Sequence, residues 1–348
     1  MEEEMKNKVA YLVDKGKVEM GEREKPEAGK GQVLIKVKHC GICGSDVHNY
    51  IEGRTGKRII HFPFILGHEL AGEIVEVGEG VKKLSVGDRV CVEPGVPCGT
   101  CSYCRKGEYN LCPDMRFLAA YPVEGSMQEY LVFPEENCFK LPKQVSTIEG
   151  ALIEPLAVGL YAAEHSEVKI NDTIVILGMG CIGLMTLIAC KARNVGKIIA
   201  VDIYDTHLEI AKKLGADVTI NTSGEDAAAV IEKITSGRLA DVTFETAGQS
   251  ATAVLAPAVT GRGGTIMCVG NITKPTSYKF FDISCKEITL KTQFRYRNVF
   301  ALAVDLIASG KIDLSPINPK MFPFDQTQEA FQYAIHHGED TVKVMLEM

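Results

Sequence analysis

The chain has 348 residues, 46% hydrophobic and 24% charged, with a formal net charge of −7. That length calls for two domains, and that balance supports a sizeable core and excludes a disordered chain. The negative charge, with both signs interspersed, excludes an extended nucleic-acid surface.

The start, Met1-Glu2-Glu3-Glu4, lacks the basic and apolar regions of a secretory signal, so a cytoplasmic chain is expected. Twelve cysteines in that compartment point to metal or buried thiol rather than disulfides. As far as about residue 155 the chain is dense in glycine, proline and short β-like runs. Val33–Val37, Glu73–Val77 and Arg89–Val92 read as strands, and Gly78, Gly80 and Gly87-Asp88 bound them. An irregular antiparallel β-domain is expected over residues 1–155.

Within it, Cys43-Gly44-Ser45-Asp46-Val47-His48 holds a thiol, a hydroxyl, a carboxylate and an imidazole, and Gly67-His68-Glu69 adds an imidazole and a carboxylate. Cys43, His68 and Glu69 make a plausible three-ligand metal set that leaves one position open, as catalytic zinc sites do. Asp46 is a candidate to hold the His68 ring through its second nitrogen. Further on, Cys98, Cys101, Cys104 and Cys112 follow C-x2-C-x2-C-x7-C. Four thiolates on short hooks, with turns from Pro97, Gly99, Thr100 and Ser102, specify a closed tetrahedral zinc site of structural type.

From about residue 156 strands and helices alternate, which implies parallel strands with crossover helices. Thr173–Cys190 has no charged residue and approaches the length of a membrane span. Its β-rich start and Gly178, Gly180 and Gly183 make it a buried strand, Thr173–Leu177, turning into a helix over Ile182–Arg193. Strands at Ile198–Val201, Val218–Ile220, Val242–Glu245 and Thr265–Val269, with a helix over Leu208–Leu214, continue a doubly wound Rossmann unit over 156–292. The tail, 293–348, contains a helix over Val299–Ala308 and a closing strand at Lys343–Leu346, and is expected to return to the first domain.

Gly178-Met179-Gly180-Cys181-Ile182-Gly183 fits G-x-G-x-x-G directly after a strand, and Asp202 lies 19 residues beyond Gly183 at the end of the next one. The glycines let a helix N-terminus meet a pyrophosphate, and the acid accepts ribose hydroxyls. A carboxylate there repels a 2′-phosphate, so NAD is expected rather than NADP.

Taken together, Gly67–Gly72 continuing through Gly78 and Val81, the run Gly41–His48, the four-cysteine lobe and the Gly178–Gly183 fingerprint resemble the zinc-dependent medium-chain dehydrogenase/reductase superfamily. Glu154-Pro155-Leu156-Ala157-Val158-Gly159 and Phe294-Arg295-Tyr296 are similar to its polyol dehydrogenase branch. The resemblance spans essentially the whole chain and implies a GroES-like first domain. It implies a catalytic zinc on Cys43, His68 and Glu69, with Glu154 approaching it directly or through water, beside the structural zinc: two per chain. It further implies proton release through Ser45 and His48, and a substrate bordered by Tyr50, Phe117, Arg295 and Tyr296. Ile182, Asp202, Val269 and Gly270 would contact NAD with Gly178, Gly180 and Gly183. His207 stands where relatives often carry an arginine near the adenosine. The implied reaction is oxidation of a polyol at C2 to the ketose with hydride transfer to NAD, by a homotetramer or homodimer with no membrane or nucleic-acid partner. L-threonine, 2,3-butanediol or a phosphorylated polyol are the alternative substrates. A non-catalytic relative would lack one of Cys43, His68 and Glu69, and all three are present. His336-His337 are not expected to share an ion, and Cys40, Cys91, Cys138, Cys190, Cys268 and Cys285 are expected to fill core space.

Overall fold

The computed structural model describes residues 6–348, and the acidic Met1–Glu4 start lies outside them. Two units are present. One runs to Glu154 and resumes over Phe300–Gly310 and Asn318–Met348; the other comprises Pro155–Val299 and Lys311–Ile317. The second cut therefore falls after residue 299 rather than after 292. The intervening loop belongs with the second unit: Gln293 Nε2 donates to the Val158 carbonyl at 3.2 Å, and the Arg297 guanidinium lies 5.5 Å from the Tyr161 ring centre.

The first unit opens with a hairpin of β1 (Lys6–Asp14) and β2 (Lys17–Glu24). Strand β3 (Gln32–Ile42) feeds helix α1 (Gly44–Glu52). The small hairpin β4 (Arg54–Thr55) and β5 (Arg58–Ile59) comes next, then β6 (Phe64–Ile65), which pairs with β1. Strands β7 (Glu69–Val77), β8 (Arg89–Val92) and β9 (Gly95–Val96) precede the short helix α2 (Ser102–Arg105). Strands β10 (Arg116–Phe117), β11 (Tyr130–Pro134) and β12 (Cys138–Lys140) then lead to α3 (Thr147–His165), in which the boundary between the units falls.

In the second unit, β13 (Thr173–Leu177), α4 (Cys181–Ala192), β14 (Lys197–Asp202), α5 (Asp205–Lys213) and β15 (Val218–Asn221) form one half. After α6 (Ala227–Ile234), strand β16 (Ala240–Glu245), α7 (Ser250–Val259), β17 (Thr260–Cys268), α8 (Phe280–Cys285) and β18 (Thr289–Thr292) form the other. All neighbours are parallel in the order β15-β14-β13-β16-β17-β18. Strand order reverses between β13 and β16, so the ligand crevice of this fold lies at their carboxyl ends. Ile174–Leu177 is fully buried, which is why this strand reads as an unbroken apolar run. The charge-free stretch that imitates a membrane span is therefore β13 with α4, and among the described residues no helix is long and apolar enough to cross a membrane.

The chain ends with α9 (Phe300–Ala308), β19 (Lys320–Pro323), α10 (Thr327–His336) and β20 (Val344–Glu347). Its last strand completes a first-unit sheet of order β12-β8-β7-β3-β20-β19, with β11 also pairing β3. Val33, Leu34, Ile35 and Val37 of β3 are all fully buried, which accounts for their incomplete alternation. Cys285 departs from expectation: it is exposed at the end of α8.

Candidate functional site

Two groups of side chains able to hold a metal ion occur among the described residues, both in the first unit. One is the cysteine cluster. Its four sulfurs lie within 4.8 Å of one another, and all twelve cysteines of the chain are free thiols. Main-chain N–H groups converge on them: Cys101 N donates to Cys98 Sγ at 3.3 Å, and Cys98 N to Cys112 Sγ at 3.4 Å. The backbone N–H and the hydroxyl of Thr100 draw Cys98 down to about 6, whereas burial and its thiol neighbours push Cys104 up to about 12. Four thiols so close cannot all ionise without a cation among them. This donor set fits zinc and leaves no position for a further ligand.

The other group is Cys43, His68 and Glu69, whose donor atoms also lie within 4.8 Å of one another. The segment carrying Cys43 reads as a loop from its glycines, but Cys43 caps α1 in extended conformation (φ −85°, ψ 153°). Asp46 stitches the group together. It is fully buried, and its Oδ2 accepts from Cys43 N and its Oδ1 from Gly67 N, both at 3.1 Å. The same Oδ1 lies 3.5 Å from His68 Nδ1, which leaves Nε2 as the ring's other donor. Burial opposes a charge on His68, but Asp46 and Cys43 more than offset it and hold the ring well above its ordinary pKa.

Glu69 is held by a residue that motif reasoning missed. Lys343, almost fully buried, places Nζ 2.8 Å from Oε1 and 2.6 Å from Oε2, and reaches the Ile42 carbonyl at 3.3 Å. The available signal was a lysine at the mouth of the apolar run Val344–Leu346. Close fit extends to the backbone: a Cβ on Gly41 would stand 2.1 Å from Glu69 Oε2, so only glycine leaves room for this carboxylate. A half-buried thiol beside a buried imidazole and a buried carboxylate, with Asp46 close to the first two and Lys343 bonded to the third, fits a metal with an open position.

Other predicted residues distribute unevenly. Phe117 packs on the group, its ring centre 5.6 Å from that of His68. Ser45 and His48 are exposed and three residues apart on α1, so they share one face. Glu154 is buried on α3 but is not among the three converging donors. Its charge acts on Glu93, which burial in the first place pushes up to about 7 against a 2.8 Å bond from the Tyr109 hydroxyl. Tyr50 belongs to the core instead of a substrate surface: its ring stacks on Phe331 at 4.7 Å, and Gly16, Gln328 and Gln332 surround its hydroxyl. His337 Nδ1 lies 3.0 Å from Asp340 Oδ2, just beyond the end of α10. Arg295, in the second unit, adopts φ 57°, a conformation that clusters at functional sites, and Tyr296 beside it is buried.

In that unit the glycine turn opens α4. A Cβ on Gly183 would lie 1.8 Å from the Gly178 carbonyl, a close approach that requires glycine. A Cβ on Gly180 would meet nothing within 4 Å beyond its immediate chain neighbours, so the backbone before the N-terminus of α4 is open to approach. Asp202 locks this turn by accepting from Met179 N, and its other oxygen accepts from Ile203 N at 2.7 Å and Tyr204 N at 3.0 Å. Buried His207 stands with Nδ1 3.7 Å from Asp202, and Ile182 lies on the first turn of α4. Val269 and Gly270 donate their N–H groups to the Glu245 carbonyl at 2.8 and 2.9 Å. The crevice fits a dinucleotide.

Residues 29–143 match the alcohol dehydrogenase GroES-like domain, and residues 181–309 match the zinc-binding dehydrogenase domain. The chain belongs to the zinc-binding alcohol dehydrogenase family. As a family member it is an NAD-dependent oxidoreductase of alcohols. The sorbitol dehydrogenase of Bacillus subtilis (strain 168) is 41% identical over 324 residues, covering 92% of this chain and 91% of that one. Among solved structures, ECK1772 from Escherichia coli, an oxidoreductase/dehydrogenase of unknown specificity, superposes with a TM-score of 0.95 at 41% identity, covering 99% of both chains. The 2R,3R-butanediol dehydrogenase of Bacillus subtilis superposes with a TM-score of 0.89 at 34% identity, covering 98% and 99%.

Proposed function

We propose that this dehydrogenase oxidises a polyol such as sorbitol or xylitol to the 2-ketose. The observation that carries the reading is the Cys43–His68–Glu69 group, its imidazole and carboxylate buried and held by Asp46 and Lys343, in a chain 41% identical to a sorbitol dehydrogenase. When bound there, zinc supplies Lewis acidity toward a substrate hydroxyl, and NAD accepts the hydride. The chain's own residues manage the proton and the fit. Ser45, too weak a base alone, passes the hydroxyl proton to His48, exposed on the same face of α1. Phe117 walls the group, and buried Glu154 is the further carboxylate to which the resemblance points. Arg295 and Tyr296 suit a substrate rich in hydroxyls, because a guanidinium can present several donors to several oxygens at once.

A phosphorylated polyol would need a cationic clamp, and of the candidates Arg54, Lys57, Arg58 and Arg297 the arginines are engaged within the protein, Arg297 on the Tyr161 ring. Arg54 pairs with Glu52 at 3.2 Å, and Arg58 donates to the Tyr121 carbonyl at 3.2 Å, leaving Lys57 alone on that hairpin. Free thiols throughout support a cytoplasmic enzyme. A homo-oligomer, dimer or tetramer, is supported by the edge position of β18 and by exposed Phe280, Phe281 and Leu290 around it. Steady-state kinetics over sorbitol, xylitol, galactitol, galactitol phosphate, 2,3-butanediol and L-threonine, with NAD and NADP and zinc counted on the same sample, tests the reading. Polyol turnover with NAD and two zinc per chain is expected; preference for butanediol or threonine overturns the polyol assignment.

A further inference from the structure

Glu245 closes β16, the first strand of the second half of the doubly wound sheet, at the carboxyl edge where strand order reverses. Its side chain is fully buried. Oε1 accepts from Gly248 N at 2.8 Å and from the Thr252 hydroxyl at 2.7 Å, which shapes the loop 246–249. Its main-chain carbonyl accepts from Val269 N and Gly270 N, which ties the loop after β17 to the same residue. Oε2 has no hydrogen-bond partner. It faces Gly270, where a Cβ would lie 2.8 Å from Oε2 and 2.3 Å from Gly248 N. Next to it, Thr246 donates its hydroxyl to the carbonyls of Leu177 and Gly178, at 3.0 and 2.7 Å, so the fingerprint turn joins the assembly. One buried carboxyl thus sets the spacing of the loops that rim the crevice.

We propose that Glu245 is the positioning residue for the nicotinamide half of the cofactor. In a doubly wound sheet each half receives one mononucleotide. Asp202, at the end of β14, marks the adenosine half, so the loops fixed by Glu245 meet the other end of the dinucleotide. A buried acceptor without a donor is retained against a cost, which a purely structural clamp does not require. Burial holds the Glu245 carboxyl above the usual range, although Thr252 and backbone donors oppose it, so a neutral isostere suits the site.

The inference rests on the cofactor reading, and the test separates the two. NADH affinity is measured by fluorescence and AMP affinity by calorimetry, on zinc-loaded protein. Glu245→Ala should raise the NADH Kd about tenfold or more and leave the AMP Kd within about twofold. Glu245→Gln, which keeps an acceptor for Gly248 and Thr252, should restore NADH binding to within about threefold of the parent. Unchanged NADH affinity in Glu245→Ala, or equal losses for NADH and AMP, overturns the proposal. Absence of binding of either nucleotide to the parent protein overturns the cofactor reading itself. Should Glu245→Ala fail to fold, Thr252→Val must show the same selective loss, about threefold for NADH, and an unaltered Kd overturns the assignment.

Discussion

The two metal groups of the first unit are built by opposite rules. The cysteine cluster takes four identical donors from 15 consecutive positions, three of them half-buried, and needs little beyond its own turns and N–H groups. The Cys43–His68–Glu69 group takes three different donors from two separate stretches of chain, the cap of α1 and the start of β7, and residues as distant as Lys343 hold them in place. A closed, local site can be made by a segment. An open one must be made by a fold, because the donors have to stay in position while one coordination place remains free.

Removing a donor from each group breaks the comparison most directly. Cys43→Ala should lower kcat/KM by about a thousandfold or more and remove one zinc per chain, with the fold retained by circular dichroism. Retained turnover would falsify the division of labour. Lys343→Met strands the Glu69 charge: the metal-free protein should lose roughly 3–5 kcal/mol in urea titrations, and zinc should restore most of that loss. Equal losses with and without zinc would mean that Glu69 never meets the metal.

Glu93 sharpens the comparison, since Tyr109 of the cysteine segment bonds to it while the charge of Glu154 bears on it. Its folded pKa is raised to about 7, above the unfolded value of 4.5. The unfolded chain therefore releases this proton first, and the favourable contribution present below 4.5 is lost as pH rises through 7. Glu93→Gln should reduce the stability difference between pH 4.5 and pH 8 by roughly 3 kcal/mol. A pH–stability curve that superposes on the parent's would exclude this role. The smallest effect on turnover belongs to Cys104→Ser. It should lower the melting temperature and the zinc count, but kcat at 25 °C should change by less than about fivefold.

Legibility followed the same division. The cysteine spacing and the glycine fingerprint are contiguous, so each could be read from one stretch of chain. The strand series from Thr173 onward was equally plain, since parallel strands covered on both faces are continuous apolar runs. Helix α1 was not legible, because its start, Cys43-Gly44-Ser45, carries a helix-disfavouring glycine and its end is Gly53; capping by Cys43 and Asp46 outweighs that propensity. Tyr50 misled because a tyrosine two residues from His48 looks like part of the same surface. Helical geometry turns it by about 200° from His48, into the core against Phe331. Lys343 and Glu245 were invisible for a different reason. Their roles come from tertiary neighbours far along the chain, and no local pattern announces them.

Strand β20 has a consequence in time as well as in space. The counter-charge for Glu69 arrives 274 positions later, at the entrance to the closing strand that lies between β3 and β19. While the chain is being synthesised, the cysteine lobe can fold around its ion with two-thirds of the protein still unmade. The other centre has its donors early but stays electrically incomplete until Lys343 emerges. A polypeptide cut short before residue 343 would carry the donors and an uncompensated buried carboxylate, so the arrival of Lys343 is itself a condition for assembling the centre.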